Sequence, residues 1–245
     1  MHLLLDVGNS NLKWGLHDGA AIIETGHIAI NPLVESSLES INPGNKSVKH
    51  VAAAIVSGDA LTSKLNAWTV DRFDMALELA VTQREALGVR CAYENPEQLG
   101  VDRWAAVVAA WHQDRKPVIV VDCGTAITVD AVDANGQHLG GWIAPGRSLM
   151  EKSLVQGASR IPAGKGQYKS GPANITRDAV FSGTTLATAA FIDRAVSALR
   201  SDTNDYQCIV TGGDAKSLLT HLTSQYKHQP HLVLEGVMLL AGEMQ

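Results

Sequence analysis

Three absences bound what this chain does. It has no lysine- or arginine-rich run, and its 20 basic residues are outnumbered by 25 acidic ones, for a formal charge of −5. Nucleic-acid binding draws on a basic face that neutralises phosphates, so no nucleic-acid partner is expected. No apolar stretch reaches the ~18 residues of a membrane span. The N-terminus enters a strand and a glycine turn directly, without the successive regions of a secretory leader. A soluble, cytoplasmic protein with no membrane partner is expected. Cysteine is scarce: Cys91, Cys123 and Cys208 are widely spaced and odd in number. That pattern fits reduced thiols and gives no metal-ligand spacing. Cys123 reads as a small buried side chain.

What is present suits two domains. The 245 residues, 45% hydrophobic and 18% charged, are comfortable for two units of roughly 100–150 residues each. The stretch that organises them is Val118–Asp130, VIVVDCGTAITVD. A short β-branched run ends at Asp122, a glycine turn Gly124-Thr125-Ala126 follows, and Ile127–Val129 resumes the β pattern. It reads as a hairpin with a carboxylate and a hydroxyl at its mouth. Such a mouth suits a metal-bound phosphate, since amides take phosphate oxygens and the acid takes the cation; an ordinary hairpin whose Asp122 caps the turn gives the same pattern. A second copy, Leu3-Leu4-Leu5-Asp6-Val7-Gly8-Asn9-Ser10-Asn11-Leu12-Lys13-Trp14-Gly15-Leu16, repeats the layout about half a chain away. An internal repeat takes precedence over single motifs. It implies a duplicated α/β protein with lobes over 1–115 and 116–245, each offering a hairpin to a shared cleft.

Between the hairpins, Ala21–Ile30 reads as a third strand, Leu33–Ile41 as a short helix and His50–Val56 as a buried strand. Ala60–Ala67 reads as a helix capped by Asp59 or Thr62. Asp71–Val89 fits strand and helix equally. Ala92–Pro96 is a turn, and Arg103–Gln113 is a strong alanine-rich helix with Asp102 at its start. Beyond the central hairpin, Gln137–Ile143 reads as a strand, Ala144–Gly146 as a stiff turn and Arg147–Gln156 as a helix. Gly157–Pro172 is a loop that could order on a ligand. Asn174–Leu199 is one long helix, in which Gly183 marks close helix packing or backbone near a ligand. Cys208–Ala215 is strand, glycine turn and helix. His231–Val237 is a last strand, with a short helix over Met238–Met244. His228 and His231 read as loop histidines, the five tryptophans as core or dimer contacts, and Lys165 and Lys169 as solvated.

Several motifs in this order resemble the type III pantothenate kinases, of the acetate kinase–sugar kinase–Hsp70–actin superfamily. They are Asp6–Lys13; Tyr93-x-x-Pro96-x-x-x-Gly100-Val101-Asp102-Arg103; Asp122–Ala126; Gly140–Gly146; Thr176-x-x-Ala179-Val180-x-Ser182-Gly183; and Thr211–Ala215. The resemblance implies duplicated actin-like, ribonuclease H-like lobes, each a mixed sheet flanked by helices, with an interlobe cleft. It implies transfer of the ATP γ-phosphate to the primary hydroxyl of pantothenate, the first step towards coenzyme A. Carried over residue by residue, Asp6, Val7, Gly8, Asn9, Ser10, Asn11, Leu12 and Lys13 would line the ATP phosphates, with Asp6 near Mg²⁺, and Thr125 would touch ATP. Tyr93, Gly100, Val101, Asp102, Arg103 and Thr176 would contact pantothenate. Asp102 would be the general base, Asp122 would hold K⁺ or NH₄⁺, and Thr211–Asp214 would lie near the nucleotide. A homodimer whose pantothenate pocket borrows from the partner is implied as well. Ser10 stands where the family often has Thr, Cys123 where it often has an aromatic residue, and Ile175 where Asn often precedes the threonine.

Phosphoryl transfer requires alignment and charge compensation rather than covalent help from the protein. Arg103 and the helix N-terminus beside Asp102 favour an ionised carboxylate, although the same placement fits a helix cap. Arg103 suits a forked contact with the pantothenate carboxylate. Two rivals remain: a kinase of the superfamily acting on another small alcohol, and a nucleotide-binding regulator on the same fold.

Overall fold

The computed structural model describes residues 1–30, 35–44, 46–200 and 205–243. By internal contacts it falls into two units. The first comprises Met1–Arg115, Gly136–His138 and His231–Gln245; the second comprises Lys116–Asn135 and Leu139–Pro230.

The first unit is built on the N-terminal hairpin. Strand β1 (His2–Val7) pairs antiparallel with β2 (Asn11–His17) in a register that sets Asp6 opposite Lys13. Alternate β1 side chains fill opposite faces of the sheet: Leu3, Leu5 and Val7 enter one core and Leu4 another, all fully buried. Strand β3 (Ile22–Ala29) extends the sheet beyond β2. Helix α1 is described over Glu35–Leu38; the start of the helix expected from Leu33 lies outside the described residues. Strand β4 (His50–Ile55) lies parallel to β1. Helix α2 runs Asp59–Phe73, longer than expected. Neither Asp59 nor Thr62 caps it. The N-cap is Gly58, with no side-chain cap bond, and Asp59 is already the first helical residue. Strand β5 (Glu78–Leu79) completes the order β3-β2-β1-β4-β5. The ambiguous stretch Asp71–Val89 thus resolves into the end of α2, β5 and most of a small hairpin, β6 (Glu85–Ala86) with β7 (Val89–Arg90). Helix α3 (Val101–Asp114) follows, buried over Arg103–Trp111.

The second unit repeats the plan. Strands β8 (Val118–Cys123) and β9 (Ala126–Val132) form the central hairpin. Strand β10 (His138–Pro145) runs through the expected stiff turn at Ala144–Pro145; an edge strand tolerates a terminal proline, which has no N–H to give the ladder. Helices α4 (Arg147–Gly157) and α5 (Thr176–Leu199) come next. Strand β11 (Gln207–Thr211) lies parallel to β8, helix α6 (Ala215–Leu218) follows, and β12 (Lys227–His228) lies parallel to β11. His228 is therefore an exposed strand residue rather than a loop histidine. The order β10-β9-β8-β11-β12 matches that of the first sheet.

The chain ends differently from the expected strand and short helix. Leu232–Glu243 is one helix, α7, of the first unit. Leu234, Val237 and Ala241 pack on Leu4, Ala52 and Ala54 of the sheet. A Cβ added at Gly236 would lie 2.1 Å from the Ala105 carbonyl oxygen of α3. The helix is wedged between a sheet and another helix, so nearly every position is apolar and the period that distinguishes helix from strand is lost.

Candidate functional site

The carboxyl ends of β1 and β4 and the start of α3 converge in the first unit. Asp6, next to last in β1, is only 8% exposed, and its Oδ2 lies 3.4 Å from Lys13 Nζ. Burial pushes the Asp6 carboxyl above its ordinary value; the Lys13 charge opposes that shift and the Asp102 charge adds to it. The turn closes through Gly8 N–H donating to the Asn11 carbonyl (3.0 Å), so that amide is committed to the turn. Asn9 and Asn11 are exposed and Ser10 half-buried, whereas Val7 and Leu12 are core side chains that offer a ligand only their backbone.

Contacts link this turn to α3. Val56 N–H donates to the Val7 carbonyl (3.1 Å), and a Cβ at Gly100 would lie 3.9 Å from Val56 Cγ1 and 2.6 Å from Asp102 Oδ1. Glycine at 100 is what lets the Asp102 carboxylate lie back over the first turn. Gly100, not Asp102, is the N-cap; Asp102 is the second helical residue and its Oδ1 accepts the Arg103 N–H at 2.8 Å. Arg103 is 7% exposed, so it is not a surface ion pair. Its Nη1 donates to the Tyr93 hydroxyl (3.2 Å). Val101 begins the helix and is half-buried.

The other expected residues belong to the second unit. Asp122, next to last in β8, sits beside Thr211 in the parallel register. Gly212 has φ +95, and a Cβ there would lie 2.4 Å from both Asp122 Oδ1 and the Cys123 carbonyl oxygen. Only glycine fits, and two oxygens converge on that point. Asp214 N–H donates to the same Cys123 carbonyl (2.9 Å). Burial pushes the Cys123 thiol far up, with the Asp122 and Asp214 charges adding, so it is an inert core group. Thr125 is exposed, and its carbonyl accepts Gly146 N–H (2.9 Å). Thr176 opens α5, exposed and without a side-chain cap role, beside a groove of about 810 Å³ that Leu149, Met150, Leu154 and Val180 help to line. Gly183 faces that groove with nothing within 4 Å of where a Cβ would stand, so it marks no helix packing within the described chain. Two backbone amides of the Gly157–Pro172 loop are held by α5: Asp178 Oδ1 accepts Gln167 N–H (2.9 Å) and Ser182 Oγ accepts Lys169 N–H (2.9 Å). Lys169 pairs with Asp178 at 3.7 Å, while Lys165 is exposed as expected. Trp14, Trp104 and Trp111 are core residues and Trp142 is 43% exposed.

Some groups at these sites escaped the sequence. Ser57 Oγ, just past β4, is buried with no hydrogen-bond partner among the described residues. Arg147 Nη1 pairs with Glu151 (2.6 Å), its Nη2 lies 3.8 Å from Asp214, and its guanidinium lies 4.6 Å from the Phe181 ring centre. The i,i+4 pair Arg147–Glu151 was legible as a helical ion pair; its neighbour Asp214 was not.

Paired sheets of this order are those of the actin-like fold. Solved structures place the chain in that class: a Campylobacter jejuni protein named for the Baf family of transcriptional activators (TM-score 0.62, 22% identity, covering 99% of this chain and 98% of that one), and component A of (R)-2-hydroxyglutaryl-CoA dehydratase from Acidaminococcus fermentans (TM-score 0.55, 13% identity, covering 100% and 99%). At these identities the likeness is one of fold. Residues 2–198 match the family profile "Type III pantothenate kinase". Type III pantothenate kinases of Nitrosospira multiformis and Halorhodospira halophila are 38% and 36% identical, over 98% and 97% of this chain and 91% and 96% of theirs. The chain belongs to the type III pantothenate kinase family.

Proposed function

We propose that this protein transfers the γ-phosphate of ATP to the primary hydroxyl of pantothenate, giving 4′-phosphopantothenate. Besides family membership, one observation carries the reading at the level of residues: Asp6 pairs with Lys13, and Asp102 at the start of α3 is close enough for its charge to raise the Asp6 carboxyl. Phosphoryl transfer calls for such a set, with one group for the phosphate–metal complex, one counter-charge and one proton acceptor.

In this reading Asp6–Lys13 and Thr125 bind ATP, with Lys13 set against phosphate charge. Tyr93, Gly100–Arg103 and Thr176 bind pantothenate. The hydroxyl oxygen attacks the γ-phosphorus, the bond to the ADP oxygen breaks, and the hydroxyl proton passes to Asp102. A positioned carboxylate contributes about 10²–10⁴-fold to such a step. Asp6 fits Mg²⁺: its carboxyl is buried against its own ionisation, and a hard cation with oxygen ligands reverses that preference. Bound there, Mg²⁺ supplies charge neutralisation for the phosphates. Asp122 Oδ1 and the Cys123 carbonyl, converging beside Gly212, are an oxygen set suited to K⁺ or NH₄⁺.

The working form is a homodimer. Leu139, Trp142 and Ile143 of β10, Leu149 and Leu154 of α4, and Ile175 and Leu186 at or in α5 are 41–63% exposed. Leu149 and Leu154 line one groove with Met150 and Val180, and a second copy of the chain is the cover that the family implies. The protein acts in the cytoplasm, where Cys91, Cys123 and Cys208 stay as buried thiols. No helix among the described residues is long and apolar enough to cross a membrane.

A coupled ADP-release assay with ATP, Mg²⁺ and pantothenate, with and without K⁺, tests the reading. Turnover that requires pantothenate and rises with K⁺ is expected; ADP release indifferent to pantothenate overturns it.

A further inference from the structure

We propose that His138 is a positioning residue for the substrate contacts Tyr93 and Arg103, holding the tyrosine ring from beneath. This inference rests on the pantothenate reading above. His138 is 1% exposed. Its imidazole and the Tyr93 ring are nearly parallel, 13° apart in plane with centroids 6.4 Å apart, an offset-stacked aromatic pair. Tyr93 is held at two further points. Its hydroxyl accepts from Arg103 Nη1 (3.2 Å), and its carbonyl accepts from Arg84 Nη1 (2.7 Å).

The support beneath it is itself fixed. Arg90 N–H donates to the Gly136 carbonyl (2.9 Å). Gln137 Nε2 donates to the carbonyls of His138 (2.8 Å) and Arg90 (3.2 Å). Gly136 has φ +76, and a Cβ there would lie 2.1 Å from the Gly88 carbonyl oxygen, so the segment is seated against the β6–β7 hairpin. A buried imidazole on a pinned backbone carries a half-buried tyrosine, which in turn meets a buried arginine. The histidine ring is buried and the tyrosine ring only half-buried. Here one is anchored and the other presented, and a contact residue held in place beforehand has less freedom to lose on binding.

The test is a set of steady-state measurements in the full-length protein. His138→Leu fills the space without a flat face. It is expected to raise KM for pantothenate about three- to tenfold, the scale of a lost aromatic pair, with KM for ATP unchanged and kcat at saturating pantothenate within about twofold. His138→Phe, which keeps the ring, is expected to restore most of that loss. Tyr93→Leu, at a half-buried position, is expected to reproduce the pantothenate effect, and adding His138→Leu to it is expected to do nothing more. Equal KM changes for both substrates together with a fallen Tm, effects that add in the double variant, or His138 variants with the wild-type KM for pantothenate each overturn the proposal. Wild-type protein without pantothenate-dependent turnover overturns both this inference and the reading beneath it.

Discussion

Replacing Asp102 by asparagine separates a catalytic carboxylate from a helix cap. The cap of α3 is Gly100, and Asp102 Oδ1 accepts the Arg103 N–H. Asparagine keeps that oxygen. What is removed is one negative charge in the first turn of α3, worth about 0.3–1 kcal/mol against the helix dipole. In a chain of this size that is roughly 1–4 °C of Tm. The same change relieves Asp6, whose carboxyl the Asp102 charge pushes upward, so the two effects partly cancel and Tm should move by only a few degrees. Catalysis should suffer on another scale: loss of a proton acceptor lowers kcat about 10²–10⁴-fold, or roughly 3–5 kcal/mol of barrier. KM for both substrates should change little. Coupled ADP release gives kcat and KM, and calorimetry gives Tm. Retention of kcat within about tenfold, or a Tm loss beyond about 10 °C with activity falling in step, would refute the assignment and make Asp102 a structural residue.

Asp6→Asn should raise Tm in nucleotide-free protein at pH 8 while abolishing ATP turnover. A carboxyl raised by burial favours folding most below its ordinary value of 3.8 and loses that contribution as pH rises through its higher folded value; the Tm difference should therefore shrink towards acid pH, and a difference that grows there would contradict the sign. Gly212→Ala forces a side chain into a left-handed site 2.4 Å from two oxygens. It should cost about 3 kcal/mol or more, seen as a lowered denaturation midpoint together with weakened K⁺ activation; unchanged values of both would rule out the crowding at Asp122. Ile143→Glu, at a position 63% exposed, should give monomers by light scattering without unfolding the chain, and a persistent dimer would move the interface elsewhere.

Much of this fold was legible because its signals are local. Apolar runs ending in Asp-x-Gly located both hairpins, and the repeat of Asp6 at Asp122 revealed two sheets of one order. The misreadings arose where tertiary surroundings decide. The run from His231 to Val237 has strand-like composition, but sheet and helix cover it on two sides and it coils. Gly58 displaced Asp59 as the cap of α2 because the extended backbone before the helix ends one residue earlier than the side-chain pattern suggested. For the candidate site, the glycine turns singled out Asp6 and Asp122, and the family resemblance singled out Asp102. Neither gave a sign of Ser57, whose hydroxyl stands out only once its neighbours are seen, or of His138, which meets Tyr93 from 45 positions away.

The docking of α7 onto β1 and β4 also orders events at the ribosome. Leu4, Ala52 and Ala54 are made early, yet their cover, Leu234, Val237 and Ala241, follows the whole second unit in synthesis. At about 5–20 residues per second the nascent first sheet keeps one apolar face bare for on the order of ten seconds. During translation that face is a natural landing place for a chaperone.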